Sequence, residues 1–271
     1  MAVGTSGLDK TRMMILEKGP NDEHAQDNSD SNTTSTTFQD KLSLVFTPPS
    51  AGDYSILAGA GVKNATSLRK TAVRLLDNGT STGYGDNQSS FQNTTDWHPW
   101  YTQFKINLAA SSQTFKLQWS AVAIGTAHIR EATIIAIRLD HHRPPIGYAE
   151  NLTNASTSNT TYVDRTTLTH TPENTFQMIL GAMFIESQGF GAQNNNVAGR
   201  VIEGATPIVM VENIHRPSVR GGTWPVLALK RQETAESSTT WKTQWKRFAG
   251  PSAHIKDSSI ITVDMDDRRV L

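Results

Sequence analysis

TFKLQWSAVAIGTAHIREATIIAIRLD, residues 114–140, decides the fold, because the chain repeats it as TWKTQWKRFAGPSAHIKDSSIITVDMD at residues 240–266. Trp119 and Trp245 lie 126 residues apart, and so do His128 and His254. In both copies Ala-His-Ile is followed by a basic residue, an acidic residue, two small residues and Ile-Ile, and both close on Asp. Similarity of this length without a gap marks a duplicated domain rather than a short solenoid unit. Upstream, TTFQDKLSLVFTP from Thr36 and TTYVDRTTLTHTP from Thr160 extend the match at a spacing of 124 residues.

Within the first of these segments Phe38, Asp40, Leu42, Leu44 and Phe46 share one parity. That alternation predicts a half-buried strand, closed by Pro48, as Pro172 closes its counterpart. Across the chain, short β-branched and aromatic runs are broken by Gly, Ser, Asn and Pro, with no sustained helical period. The expected fold is all-β: two tandem duplicated antiparallel β-sandwich domains of jelly-roll type. The expected boundaries are an N-terminal arm at 1–10, a first domain at 11–140 and a linker at 141–145. A second domain follows at 146–267, then a C-terminal tail at 268–271. Met13 to Leu16 reads as the first strand, Gly19 to Ser35 as a solvated loop, and Ile146 to Glu150 as the start of the second cycle.

Composition narrows the function classes. The 271 residues carry 25 Lys plus Arg against 25 Asp plus Glu, so no net charge steers the chain toward nucleic acid or an anionic membrane. Cysteine is absent, which removes disulfide frameworks and thiolate metal sites and fits assembly in a reducing compartment. MAVGTSGLDK has no apolar core of a secretory signal, and no run approaches the roughly 18 apolar residues of a membrane helix.

No Walker loop, G-x-S-x-G, H-E-x-x-H or dinucleotide fingerprint occurs, so no catalytic, cofactor-binding or metal-binding residue is assigned and no cofactor is expected. His128 and His254 each stand apart from the three or four ligands that zinc needs. Neighbouring His141 and His142 would point to opposite sides of an extended linker. Glu131 and Asp257 offer one carboxylate per domain, where two-carboxylate hydrolysis needs both in one cleft. Trp97, Trp100 and Tyr101, after a long polar loop, are candidate aromatics for stacking on a ligand or partner. From Ile129 to Asp140 both faces are apolar: Ile129, Ile135, Ile137 and Leu139 are expected inward. Ala132, Ile134 and Ala136, with Ser258, Ile260 and Thr262 in the second copy, are expected on an interface covered by another copy or another subunit.

The segments TTFQDKLSLVFTPPSAGDYSILA (36–58), RLLDNGT (74–80), SQTFKLQWSAV (112–122) and AHIREATIIAIRLD (127–140) resemble the jelly-roll domains of structural proteins in tailed-bacteriophage virions. The resemblance covers most of 36–140 and, more loosely, 160–266. It implies a non-enzymatic, oligomeric virion protein, and no catalytic residues come with it. The leading expectation is a head decoration (cement) protein, homotrimeric, made in the host cytoplasm and seated on the outer surface of the head. Its partner would be the major capsid protein, with neither nucleic acid nor membrane bound. The alternative is a tail or fibre adhesin that binds host surface glycans through Trp97, Trp100 and Tyr101.

Overall fold

The computed structural model describes residues 21–66, 69–83, 87–90, 97–139, 147–171, 176–188, 196–215, 222–231, 238–247 and 252–265. The arm, the linker with His141 and His142, the tail, and the strand expected at Met13 to Leu16 lie outside them.

The first half contributes β1 (Glu23–Asp27), β2 (Ser31–Thr33), β3 (Gln39–Phe46), β4 (Gly52–Asn64), β5 (Lys70–Asp77), β6 (Thr80–Ser81), β7 (Asn87–Ser90), β8 (His98–Leu108), β9 (Gln113–Ala121) and β10 (Ala127–Arg138). One sheet runs β1-β10-β4-β8, with β2 also on β10. The other runs β3-β9-β5-β6, with β7 also on β5. The second half contributes β11 (Gly147–Asn151), β12 (Ala155–Thr157), β13 (Val163–His170), β14 (Phe176–Gln188), β15 (Asn196–Glu203), β16 (Thr206–His215), β17 (Gly222–Arg231), β18 (Thr239–Arg247) and β19 (Ser252–Met265). Its sheets run β11-β19-β14-β17, with β12 on β19, and β13-β18-β15-β16. The order is the same in both halves, and the described strands pair antiparallel and only within their own half. These are two jelly-roll sandwiches in tandem.

Each sandwich closes on its own core. In β9, Phe115, Leu117 and Trp119 alternate inward to meet Tyr54, Ile56, Phe104 and Ile134. Trp241 and Trp245 do the same in β18 against Ile185, Ile255 and Ile260. The cores differ in one respect. Where the first packs Leu42, Leu117 and Ala132, the matching positions of the second carry Thr166, Thr243 and Ser258. Their buried hydroxyls bond one another, Thr166 Oγ1 to Ser258 Oγ at 2.9 Å and Thr243 Oγ1 to Ser258 Oγ at 2.6 Å. Partnered in this way, the hydroxyls avoid the cost of buried unsatisfied groups.

Gly19 to Ser35 is not one loop. Glu23–Asp27 and Ser31–Thr33 pair with β10 as an interrupted edge strand, of which Ala25 packs against the core. The counterpart of β11 is therefore β1, in the same register on the equivalent strand. A buried cation holds the interruption. Lys41 Nζ sits 2.9 Å from Asp27 Oδ2 and donates to Ser29 O, Ser29 Oγ and Ser31 Oγ at 2.6, 3.0 and 3.1 Å. In the second sandwich Arg165 reaches the carbonyls of Asn151 and Thr153 in the same way. Ser29 bonds back to Asp27, and Thr153 to Asn151, through equivalent local turns. Both cations point inward because the pairing of β3 slips between Asp40 and Leu42, and that of β13 between Asp164 and Thr166.

A third slip matters more. Glu131 has φ 50°, and the β10–β4 register shifts between Arg130 and Thr133. One added residue reverses the parity of everything after it. Ala127 and Ile129 face the core before the bulge, and Ala132, Ile134 and Ala136 face it afterwards. These three residues, expected on an interface, are thus core residues, and Ile135 and Ile137 take the outer face.

The bulge is testable. Deleting Glu131 would force Ala132, Ile134 and Ala136 out of the core, and the variant is expected to be insoluble or unfolded by circular dichroism. Glu131→Gly keeps the bulge and removes a left-handed backbone cost of about 1–2 kcal/mol, so its Tm should equal or exceed that of the wild type. A stable, soluble deletion variant would show that the bulge does not set the parity.

Candidate functional site

The outer face of the β1-β10-β4-β8 sheet has two parts. The lower part is covered by the second sandwich. Leu57 and Ile137 pack with Leu180 and Ile261, with Ile135, Leu139, Tyr101 and Tyr148 around them. Leu57 pairs with Ile135 across β4 and β10, and Leu180 pairs with Ile261 at the matching place across β14 and β19. Equivalent residues from both copies therefore meet in one seam. Fully burying each such aliphatic side chain is worth about 1.5–3 kcal/mol.

Polar groups complete the joint. Ser259 Oγ donates to the Gln103 carbonyl at 3.3 Å, and Tyr101 Oη donates to Gln103 Oε1 at 2.8 Å. Burial pushes the Tyr101 phenol far above its ordinary pKa, so it stays a neutral donor. The second apolar face read from the sequence thus meets the sister domain. Ser258, Ile260 and Thr262 are buried on β19, with Ile260 in the second core and Ser258 in its hydroxyl trio.

The upper part of that face carries charge. Trp97, just before β8, lies with Lys63 Nζ 4.5 Å and the Arg130 guanidinium carbon 4.3 Å from its ring centre. His128 meets the same ring edge-on at 6.3 Å. Sheet pairing places these groups, since His128 is opposite Lys63 and Arg130 is opposite Gly61. Gly61 makes the approach possible, because a Cβ there would lie 3.3 Å from Arg130 Cγ and 3.7 Å from Trp97 Cε3. Burial first, then the neighbouring Lys63 charge, push His128 below its usual pKa, while Asp30 opposes them. Neutral imidazole beside two permanent cations suits an electropositive surface.

The other two aromatics sit elsewhere. Trp100 is 1% exposed, inside the first core, and Tyr101 is in the seam. Neighbours on a strand point to opposite faces, which separates them.

A third constellation was missed in the sequence. On the outer face of the β3-β9-β5 sheet, Asp40 accepts from Lys116 Nζ at 2.7 Å and from Gln118 Nε2. Arg74 Nε donates to Gln118 Oε1 at 2.8 Å and lies over the Phe38 ring at 3.9 Å. The second sandwich repeats every member. Asp164 accepts from Lys242 and Gln244, both at 2.5 Å, and Arg200 donates to Gln244 at 2.7 Å while stacking on Tyr162 at 3.8 Å. The signal was legible as repeated spacing: each of the five positions recurs 124 or 126 residues later.

Among the described residues no group of three or more His, Asp and Glu could hold a metal ion. His254 shares a 3.1 Å hydrogen bond with Ser252, and Glu131 is the bulge residue.

No family model matches the chain, and no curated protein matches it either. Solved structures with a similar chain course exist. The tandem CBM22-1-CBM22-2 domains of Paenibacillus barcinonensis Xyn10C align at TM-score 0.26 and 10% identity, over 88% of this chain and 92% of that one. The tandem CBM51 modules of a family 98 glycoside hydrolase from Streptococcus pneumoniae align at 0.27 and 7%, over 86% and 83%. The infectious bursal disease virus VP2 subviral particle aligns at 0.31 and 12%, over 93% and 74%.

The duplicated networks carry a pH dependence. The Gln118 and Lys116 hydrogen bonds hold Asp40 below the usual carboxylate range, and the Lys242 bond, then Gln244, does the same for Asp164 against partial burial. A carboxylate with a depressed folded pKa stabilises above its unfolded value, near about 3.9, and loses that contribution as pH falls through the folded value. Their side chains are 46% and 43% exposed, so solvent screening keeps the effect modest. Thermal melts should hold steady from neutral pH to about 5 and then decline. The Asp40→Asn, Asp164→Asn double variant should decline less steeply, and an identical acid slope would remove the networks from the account.

Proposed function

We propose that this chain is a non-enzymatic virion structural protein of the head-decoration type. In this reading it assembles as a homotrimer on the outer surface of a phage head, binds the major capsid protein and stabilises the shell. The observation that carries it is the seam. It joins two duplicated sandwiches through equivalent residues into one block that presents the same polar sheet face twice, with Asp40, Arg74, Lys116 and Gln118 on one copy and Asp164, Arg200, Lys242 and Gln244 on the other.

A symmetric shell offers equivalent sites at fixed separations. A block with two like faces can engage two of them at once, so modest contacts add up by effective concentration. A glycan-binding platform would need open aromatic faces. Trp100 is in the core, Tyr101 is in the seam, and Trp97 already holds two cations.

Mixing the purified chain with expanded, undecorated heads should give saturable binding and a higher melting temperature of the shell. Absence of both would sink the decoration reading. A glycan array giving specific signals that Trp97→Ala abolishes would replace it with the adhesin reading.

A further inference from the structure

We propose that the guanidinium forks of Arg74 and Arg200, one on each sandwich, are twin docking points for acidic side chains of a partner protein. The identity of that partner as a shell rests on the reading above, whereas the chemistry of the two points stands on the following geometry.

Each arginine is held by its own sheet. The Arg74 guanidinium carbon lies 3.9 Å from the Phe38 ring centre, and Arg74 Nε donates to Gln118 Oε1 at 2.8 Å. Gln118 is fixed in turn, because its Nε2 donates to Asp40 Oδ1. The Asp40 carboxylate feels the Arg74 charge, yet it is bound by Lys116 Nζ at 2.7 Å and by Gln118. Among the described residues the two Nη groups of Arg74 meet no acceptor. Arg200 repeats the arrangement, 3.8 Å from the Tyr162 ring centre with Nε 2.7 Å from Gln244 Oε1. Gln244 and Lys242 both bind Asp164, at 2.5 Å each. The Nη groups of Arg200 likewise meet no acceptor among the described residues.

Stacking and the Nε bond use one N–H of each guanidinium and leave the Nη edge, a planar fork of donors. A carboxylate accepts two parallel bonds from such a fork, and charge-assisted bonds of this kind are strong. Because ring and glutamine hold the fork in advance, little side-chain entropy is lost on binding. Charge points the same way. In each network the aspartate and the lysine cancel, and the positive charge of the arginine is left over. That arginine shares its face with an aspartate, which would repel the neighbouring phosphates of a nucleic acid. The balance of 25 cations against 25 anions also supplies no long-range attraction for a polyanion. A single acidic side chain fits each fork better.

Two further features favour a protein surface over a free anion. Val45 is 61% exposed on the same face of β3, and its partner Thr114 lies two residues from Lys116 on β9. An aliphatic side chain beside the first fork has no use for a small anion but can pack against a folded partner. The seam joins the two sandwiches, so both forks belong to one block. A partner that presents acidic groups at the matching separation is held by both, and the second contact gains from the effective concentration set by the first.

The test titrates the full chain with a capped tetraglutamate peptide, a neutral Gly-Ser peptide of equal length, and a tetrathymidylate, followed by NMR of the arginine Nε–H signals. The acidic peptide should shift the Arg74 and Arg200 signals saturably, and the neutral peptide should shift neither. Joint Arg74→Gln and Arg200→Gln substitution should weaken binding about tenfold or more. Joint Arg74→Lys and Arg200→Lys substitution, which keeps the charge and removes the fork, should weaken it too, and serves should the glutamine variants melt early. Lys105→Gln removes a cation elsewhere and should leave binding unchanged. Absence of saturation, unchanged affinity in both double variants, or tetrathymidylate binding as tight as the peptide's would each overturn the docking points. Shell binding that survives both double variants overturns them and leaves the decoration reading standing. Peptide binding that the double variants weaken, without any shell binding, does the reverse.

Discussion

Strand β10 has to bury two apolar surfaces at once, and the rest of the molecule depends on how it does so. One face supplies Ile129, Ala132, Ile134 and Ala136 to the first core, and the other supplies Ile135 and Ile137 to the seam. A strand that alternates strictly from Ile129 could not do both with these residues, because Ile129 and Ile135 have the same parity. The unpaired residue at Glu131 resolves the conflict by shifting the phase once, in mid-strand. The left-handed backbone at a non-glycine residue is a local cost of about 1–2 kcal/mol, far below what misplacing three core side chains would cost.

That shift also fixes what lies at the ends of the sheet. Above the bulge the outer face carries His128 and Arg130, opposite Lys63 and Gly61; below it the face is aliphatic and covered. The second sandwich therefore packs on the lower half, where the outer face is apolar. Charges would be expensive in the seam, where water is excluded, and they cluster instead beyond its edge. The polar groups that do enter the seam, Tyr101, Gln103 and Ser259, are hydrogen-bonded across or along it.

The sequence carried the duplication plainly, because identical spacing of Trp, His and Ile-Ile needs no structural model to be read. It also carried the sandwich class, through the period of two in Leu42, Leu44 and Phe46, which do turn inward. Three things were hidden, each for a physical reason. Strand β1 is an edge strand with polar residues on both sides, and of its five residues only Ala25 packs against the core, so it reads as a loop. The bulge has no glycine to announce it, since Glu131 itself adopts the positive φ. Trp100 and Tyr101 look like one aromatic cluster on paper, yet a strand sends them to a core and a seam. The Asp-basic pair of Asp40-Lys41 and Asp164-Arg165 was visible as a repeat, but its division into an exposed network and a buried clamp depends on the register slip between them.

Duplicated domains report on themselves, because what both copies keep is what folding and pairing require of either. The clamps of Lys41 and Arg165, the Asp-Lys-Gln-Arg networks and the Leu57–Ile135 and Leu180–Ile261 pairs of the seam are kept, although details such as Asp27 against Asn151 have drifted. The cores have drifted too, from aliphatic Leu42, Leu117 and Ala132 to hydroxyl-bearing Thr166, Thr243 and Ser258, a change tolerated because the three hydroxyls satisfy one another. The outer end of the first sheet follows neither pattern. Lys63 pairs with His128 and Glu186 with His254 in the same register, so the residue type changes here while its cross-strand histidine is retained. A residue that changes while its cross-strand partner stays is one that the pairing of the sheet does not dictate.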